Sequence, residues 1–310
     1  MMEKYINNVE LKKLWPEWLL YWRRMGSREI SEYLEKTIRY KRLMLIVWGV
    51  LEAHGPWLSV ASDSMMAQIA ADKVASILTK EHGVQPIIFN GFLDIGSYSA
   101  TRDFPGAVAI EGWQEYKEGK YSPIVYIWEQ VIARLKKEGF DKFFLINGDG
   151  GNWMNYLERP WERSFIGIKN YIKEKYKVNF DGANWDQEGG YAWKHAGHHE
   201  HAFINWLCKV APEFERLSEL RAGLKAISEQ DLKTIDGAKF GHLEDEERRR
   251  SNWADFPDQK ELRAVTEFSF KEYKKLLYDK TGKPLKKGGI AEDFEEKISH
   301  LMKKVLPLIK

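Results

Sequence analysis

Glu52 and His54 stand two residues apart in the segment Glu52-Ala-His54-Gly-Pro, directly after an apolar run. On an extended segment, residues at i and i+2 point the same way, so this pair can present an oxygen and a nitrogen to one locus. Gly55 and Pro56 then turn the chain. Asp63 follows just ahead of a helical pattern, where it can either cap the helix or donate a carboxylate. A second polar cluster, Asn147-Gly148-Asp149-Gly150-Gly151-Asn152, closes another apolar run. Such a turn lets backbone approach a ligand closely and aims Asp149 off the strand end, although a plain tight turn has the same composition. The third cluster, His195 to His201, holds four of the eight histidines in the chain, and Glu200 with them. Imidazole is the commonest neutral metal ligand and carries protons near neutral pH. With acidic groups and a histidine already placed after two strands, a metal site explains the three clusters better than a chance grouping of surface histidines.

The elements that must position these clusters alternate. Leu43 to Gly49 reads as a buried strand, Ser64 to Glu81 as a helix with Met65, Ile69, Val74 and Leu78 at helical spacing, and Gln85 to Asn90 as a strand. Ile124 to Lys137 then reads as a helix and Lys142 to Asn147 as a strand. This order predicts an α/β fold of three layers, αβα, around a mainly parallel sheet. In such sheets ligands bind at the carboxyl ends of the strands, where the first two clusters fall.

Around this core, helical patterns near Trp18 to Met25 and Ser27 to Leu34 predict a helical lead-in over residues 1–40, the second with a capped start at Ser27. Asn155 to Trp193 is rich in aromatic and Gly residues without a clear period, and is expected to be an excursion with one helix near Gly167 to Tyr176. Glu200 to Val210 reads as a helix, the charge-rich stretch Ala238 to Glu261 as a solvated loop or helix face, and Phe268 to Tyr278 and Glu292 to Leu308 as amphipathic helices. No linker interrupts the chain, so one domain over 1–310 is expected, with 43–210 as its motif-bearing core and 211–310 as a helical carboxyl-terminal part.

Composition removes several classes of function. Of 310 residues, 44% are hydrophobic, enough for a packed core, and 48 Lys and Arg against 46 Asp and Glu leave a formal charge of +2. That balance creates no field to draw nucleic acid or an anionic membrane. No stretch approaches the ~20 apolar residues that span a bilayer, and no leader is evident at the amino terminus. The single cysteine, Cys208, excludes an internal disulfide and reads as a buried small residue on a helix. A cytoplasmic protein acting on a small molecule is expected.

These residues resemble the creatininase family, whose members carry Glu-x-His-Gly-Pro with an Asp eleven residues after the Glu, then Phe-Pro-Gly, Asn-Gly-His-Gly-Gly-Asn and His-Ala-Gly-x-x-Glu. This chain has Glu52-Ala-His54-Gly-Pro with Asp63, Phe104-Pro105-Gly106, Asn147-Gly-Asp149-Gly-Gly-Asn152 and His195-Ala-Gly-His-His-Glu200. The four agree in order and spacing over about Leu43 to Val210. The resemblance implies a metal-dependent hydrolase holding one or two divalent ions, zinc or manganese first, within a homo-oligomer such as a hexamer. It also implies Glu52, His54, Asp63 and Glu200 as ligands, Asp63 as the bridge between ions, and His195 as the catalytic proton carrier.

Departures from the family pattern bear on the substrate. Asp149 stands where the family has a metal-binding His, so it is either a carboxylate ligand, which favours a harder ion such as Mn²⁺, or no ligand at all. Ala100 and Thr101 replace a common Glu-His pair, with Arg102 next as a candidate to steady an oxyanion, and Trp57 replaces a common His. The altered pocket leans the expectation toward C–C ring opening of an inositol-derived cyclic diketone, 3-dehydro-scyllo-inosose, by attack of metal-activated water. The alternative within the family is C–N cleavage of a cyclic amide or formamide. From other classes, a metal-dependent keto-sugar isomerase or dehydratase, and a decayed site kept as a scaffold, remain open.

Overall fold

A computed structural model of the chain describes residues 19–22, 25–37, 41–51, 54, 58–59, 61–92, 123–149, 172–185, 188, 193, 197–209, 228–234, 239–240, 266–285 and 288–310. In chain order the elements are β1 (Leu20–Tyr21), α1 (Ser27–Lys36), β2 (Met44–Trp48), α2 (Ser62–His82), β3 (Ile87–Phe92), α3 (Pro123–Lys137), β4 (Lys142–Asn147) and β5 (Asn179–Asn184). They continue with α4 (His198–Lys209), α5 (Glu229–Thr234), β6 (Lys239–Phe240), β7 (Thr266–Glu267), α6 (Phe270–Leu277) and α7 (Gly289–Ile309).

β1 to β5 form one parallel sheet in the order β1-β3-β2-β4-β5. Met44 to Trp48 are at most 1% exposed, so both faces of the central strand are covered, as a parallel sheet between helix layers requires. On the face that carries Trp48 and Phe180, Trp128 of α3 meets both rings edge-on at 5.3 and 6.0 Å. α2 packs along β2, β3 and β4, and α7 along β5. The predicted three-layer αβα fold is therefore the observed one.

From β2 the chain passes to β3 on one side, while β4 lies on the other side of β2. The two neighbours thus leave β2 in opposite directions, which opens a crevice at the carboxyl ends of β2 and β4. α2 is entered from this end, and it stops at Gly83, whose φ of 60° turns the chain while Val84 N–H closes on Leu78 O at 3.0 Å.

Three local expectations differ from the structure. Leu20–Tyr21 lies in the stretch Trp18 to Met25 expected to be helical, but pairs as a strand with Ile87 and Ile88. Sheet-edge hydrogen bonds and burial of Tyr21 outweigh a short helical period there. β5, with its sequence NFDGAN, falls in the stretch without a period. Asn, Asp and Gly are poor strand formers, and pairing with β4 decides the matter. Lys239–Phe240, at the start of the charge-rich stretch, pairs antiparallel with Thr266–Glu267, while residues 241–261 of that stretch lie outside the described ones. The start of α1 also differs in detail: Gly26 is the cap residue, and its N–H donates to the Glu29 carboxylate at 2.6 Å.

Beneath β1 and β3 lies a buried polar chain. Tyr21 Oη donates to Asp72 Oδ1 at 2.5 Å, Gln68 Nε2 donates to the same oxygen at 2.8 Å, and Asn90 Nδ2 donates to Gln68 Oε1 at 3.2 Å. These bonds tie α2 to two strands. Tyr21→Phe removes the donor and leaves a buried carboxylate less satisfied, so a loss of about 1–3 kcal/mol is expected in urea unfolding.

Candidate metal centre

Each functional side chain of the described site arrives from the carboxyl edge of the sheet. His54 follows β2 and is 1% exposed. Asp63 lies in the first turn of α2, not ahead of the helix, so it is no cap; the cap residue is Ala61. Ser62 Oγ donates to Ser59 O at 2.7 Å and Ser64 Oγ to Val50 O at 3.3 Å, which fastens this turn to the end of β2. Glu200 occupies the first turn of α4, which follows β5. Both carboxylates thus sit where a helix amino terminus favours negative charge.

The three converge. His54 Nε2 is 3.0 Å from Asp63 Oδ1 and 3.8 Å from Glu200 Oε2, and one ligand atom from each lies within 4.8 Å of the others. Asp63 and Glu200 are each 4% exposed. Two carboxylates desolvated side by side are costly unless a cation neutralises them. Ligand atoms about 2.1 Å from one ion lie no more than ~4.2 Å apart, so a small inward adjustment closes the set on a divalent metal. Nitrogen and oxygen donors in this mixture fit zinc or manganese. Among the described residues no other such grouping occurs.

Of the other residues picked out from sequence, Asp149 is 5% exposed at the end of β4, and the three-ligand grouping forms without it. Its carbonyl accepts from Asn147 Nδ2, which also donates to Asn184 Oδ1 at 2.9 Å and so links the ends of β4 and β5. Glu52, His195 and Arg102 lie outside the described residues. His199, beside Glu200 in sequence, is held down to about 4 by burial and by neighbouring His198, against the pull of Asp293 at 3.9 Å, and is a neutral imidazole near pH 7.

The sequence places Gly148 in a turn expected to approach a ligand, but its close approach is to α2. A Cβ there would sit 2.3 Å from Asp63 O and 2.9 Å from the Ala67 Cβ, so only glycine lets the end of β4 close onto the first turn of α2. Its N–H donates to Trp48 O at 2.8 Å, which completes the β2–β4 floor of the crevice.

Fold and site together are those of an α/β protein with a buried cluster, able to hold a metal ion, at the switch point of a parallel sheet. A model of the creatininase family, described as creatinine amidohydrolase, matches residues 24–246, and the chain belongs to that family of metal-dependent hydrolases. A solved structure described as a putative creatinine amidohydrolase from Bacteroides fragilis NCTC 9343 is similar at a TM-score of 0.55 and 17% identity over 94% of each chain. A structure named creatininase Mn is 15% identical over 63% of this chain and 74% of its own, at a TM-score of 0.45. A further one, named creatinine amidohydrolase (creatininase), is 15% identical over 64% and 76%, at 0.44. No curated protein sequence matches this chain. None of the described helices is long and apolar enough to cross a membrane.

Proposed function

We propose that the chain opens a small cyclic carbonyl compound by hydrolysis at the centre formed by His54, Asp63 and Glu200. The convergence of these three buried side chains at the β2–β4 crevice carries this reading. These residues would hold a divalent ion, which would supply an acidified water and a Lewis acid for the carbonyl. By the family resemblance, Glu52 and Asp149 are the residues that would add oxygen donors to this set, for one ion or two. His195 would hand a proton to the departing atom as the tetrahedral carbon collapses, and either Arg102 or backbone donors of the 150–152 turn would steady the oxyanion.

Family membership supports C–N cleavage of a small cyclic amide. A second reading, C–C opening of an inositol-derived cyclic diketone, draws support from Asp149, a carboxylate where the family motif has imidazole. Added negative charge there weakens polarisation of the carbonyl by the metal, which suits a ketone, more reactive than an amide. The resemblance also supports a homo-oligomer, and the single cysteine is consistent with a reducing compartment such as the cytoplasm.

Metal content by mass spectrometry, alongside turnover of creatinine and of 3-dehydro-scyllo-inosose by wild type and Asp149→His, tests both readings. Stoichiometric metal with creatinine turnover, raised in Asp149→His, selects the amide. Turnover of the diketone alone, lost in that variant, selects C–C cleavage. Absence of metal under every loading condition removes the hydrolytic reading.

A further inference from the structure

Glu188 and Trp193, which follow β5 in the chain, are both held by α7, which lies beyond the stretch matched by the family model. Lys297 of α7 is 2% exposed. Its Nζ donates to Glu188 O at 2.7 Å and sits 5.5 Å from the centroid of the Trp193 ring. Lys304, two turns further on, reaches Glu188 Oε1 at 2.5 Å. One face of α7 therefore grips the backbone and the side chain of Glu188.

The Trp193 ring extends this grip to the metal centre. It lies edge-on to Trp185 at 4.9 Å and stacks on His199 at 6.1 Å, while Phe203 meets it at 5.1 Å. His199 and Phe203 belong to α4, whose first turn carries Glu200, and Phe294 of α7 packs on Phe203 at 5.0 Å. A buried ammonium costs desolvation, and an apolar side chain of similar length would fill the same space. What a cation adds here is direction: it needs one carbonyl oxygen and one ring face in a set arrangement.

We infer that Lys297 is a positioning residue, holding Glu188 and Trp193 and, through the Trp193 ring, the first turn of α4 in register with the metal centre. The inference rests on the hydrolase reading for the roles of Glu200 and of His195, which lies in sequence between Trp193 and Gly197. It does not require Lys297 to touch substrate or metal.

The test compares wild type, Lys297→Met, Lys297→Arg and Lys304→Ala as full chains, by amide hydrogen exchange of the metal-free protein and by Mn²⁺ titration. Lys297→Met is expected to speed exchange in the opening turns of α4, residues 201–205, at least ~10-fold while α2 and β4 stay as in wild type, and to weaken Mn²⁺ binding ~10-fold. Lys297→Arg restores both, because charge and donor return. Lys304→Ala, altering a partly exposed side chain, gives a smaller acceleration confined to the same segment and decides the matter if Lys297→Met does not fold. Exchange at 201–205 equal to wild type, or faster uniformly across the protein, overturns the inference. Wild type that binds no Mn²⁺ removes the hydrolase reading instead, and the exchange pattern still decides whether Lys297 holds the start of α4.

Discussion

Asp63→Asn is expected to abolish stoichiometric metal, with affinity for Mn²⁺ falling by more than the ~10–100-fold seen when only a supporting partner of a ligand is removed. The amide is nearly the size of the carboxylate, so the first turn of α2 keeps its place. What is lost is the charge and the capacity of both oxygens to ligate beside His54 and Glu200. The same change has the opposite effect on the metal-free protein. Asp63 and Glu200 are buried carboxylates in one cluster, so removing one charge relieves repulsion and desolvation, and the apo variant should melt no lower than apo wild type. Metal at about 100 times its Kd stabilises wild type by about 2.7 kcal/mol and the variant by almost nothing. Calorimetric melting with and without Mn²⁺ checks both halves. An unchanged metal-induced shift in Asp63→Asn would place the ion elsewhere.

Gly148→Ala carries the second large effect. The added methyl meets Asp63 O and the Ala67 Cβ at distances no packed structure tolerates, and one of those atoms is backbone of α2. β4 and α2 must separate, or the pairing of Gly148 N–H with Trp48 O must break. A loss of about 3 kcal/mol in denaturant unfolding is expected, at the upper end of what overpacking costs. The displaced atom belongs to Asp63, so metal affinity falls as well. Gly182→Ala is the comparator: its Cβ would crowd Leu145 at 2.8 Å on the same sheet. It should cost stability while sparing metal affinity. If Gly148→Ala lowers stability but binds Mn²⁺ like wild type, the close approach serves packing alone.

Much of the fold was legible because burial on both faces writes itself as a continuous apolar run. Met44 to Trp48 and Lys142 to Asn147 are such runs, and α2 shows helical spacing through its apolar positions. β5 was not legible: Asn179, Asp181 and Gly182 carry no strand preference, and the segment is a strand because β4 offers a paired edge. Leu20–Tyr21 is a strand for the same reason, through β3. The grip of Lys297 on Glu188 crosses more than a hundred residues, and no local pattern announces a cation buried against a backbone carbonyl.

For the site, sequence alone determined the residue types and their likeness to a known family: His54 and Asp63 after one strand, Asp149 after another, Glu200 at the start of a helix. These are local facts, set by spacing and by the chemistry of the side chains. Only the tertiary structure decided that Glu200 meets His54 and Asp63, that the described grouping closes without Asp149, and that Gly148 must lack a side chain. Those outcomes depend on strand order, which brings β5 beside β4 and β4 beside β2, and on the approach of two backbones. Both are contacts between residues far apart in the chain, and their free energy is settled by packing.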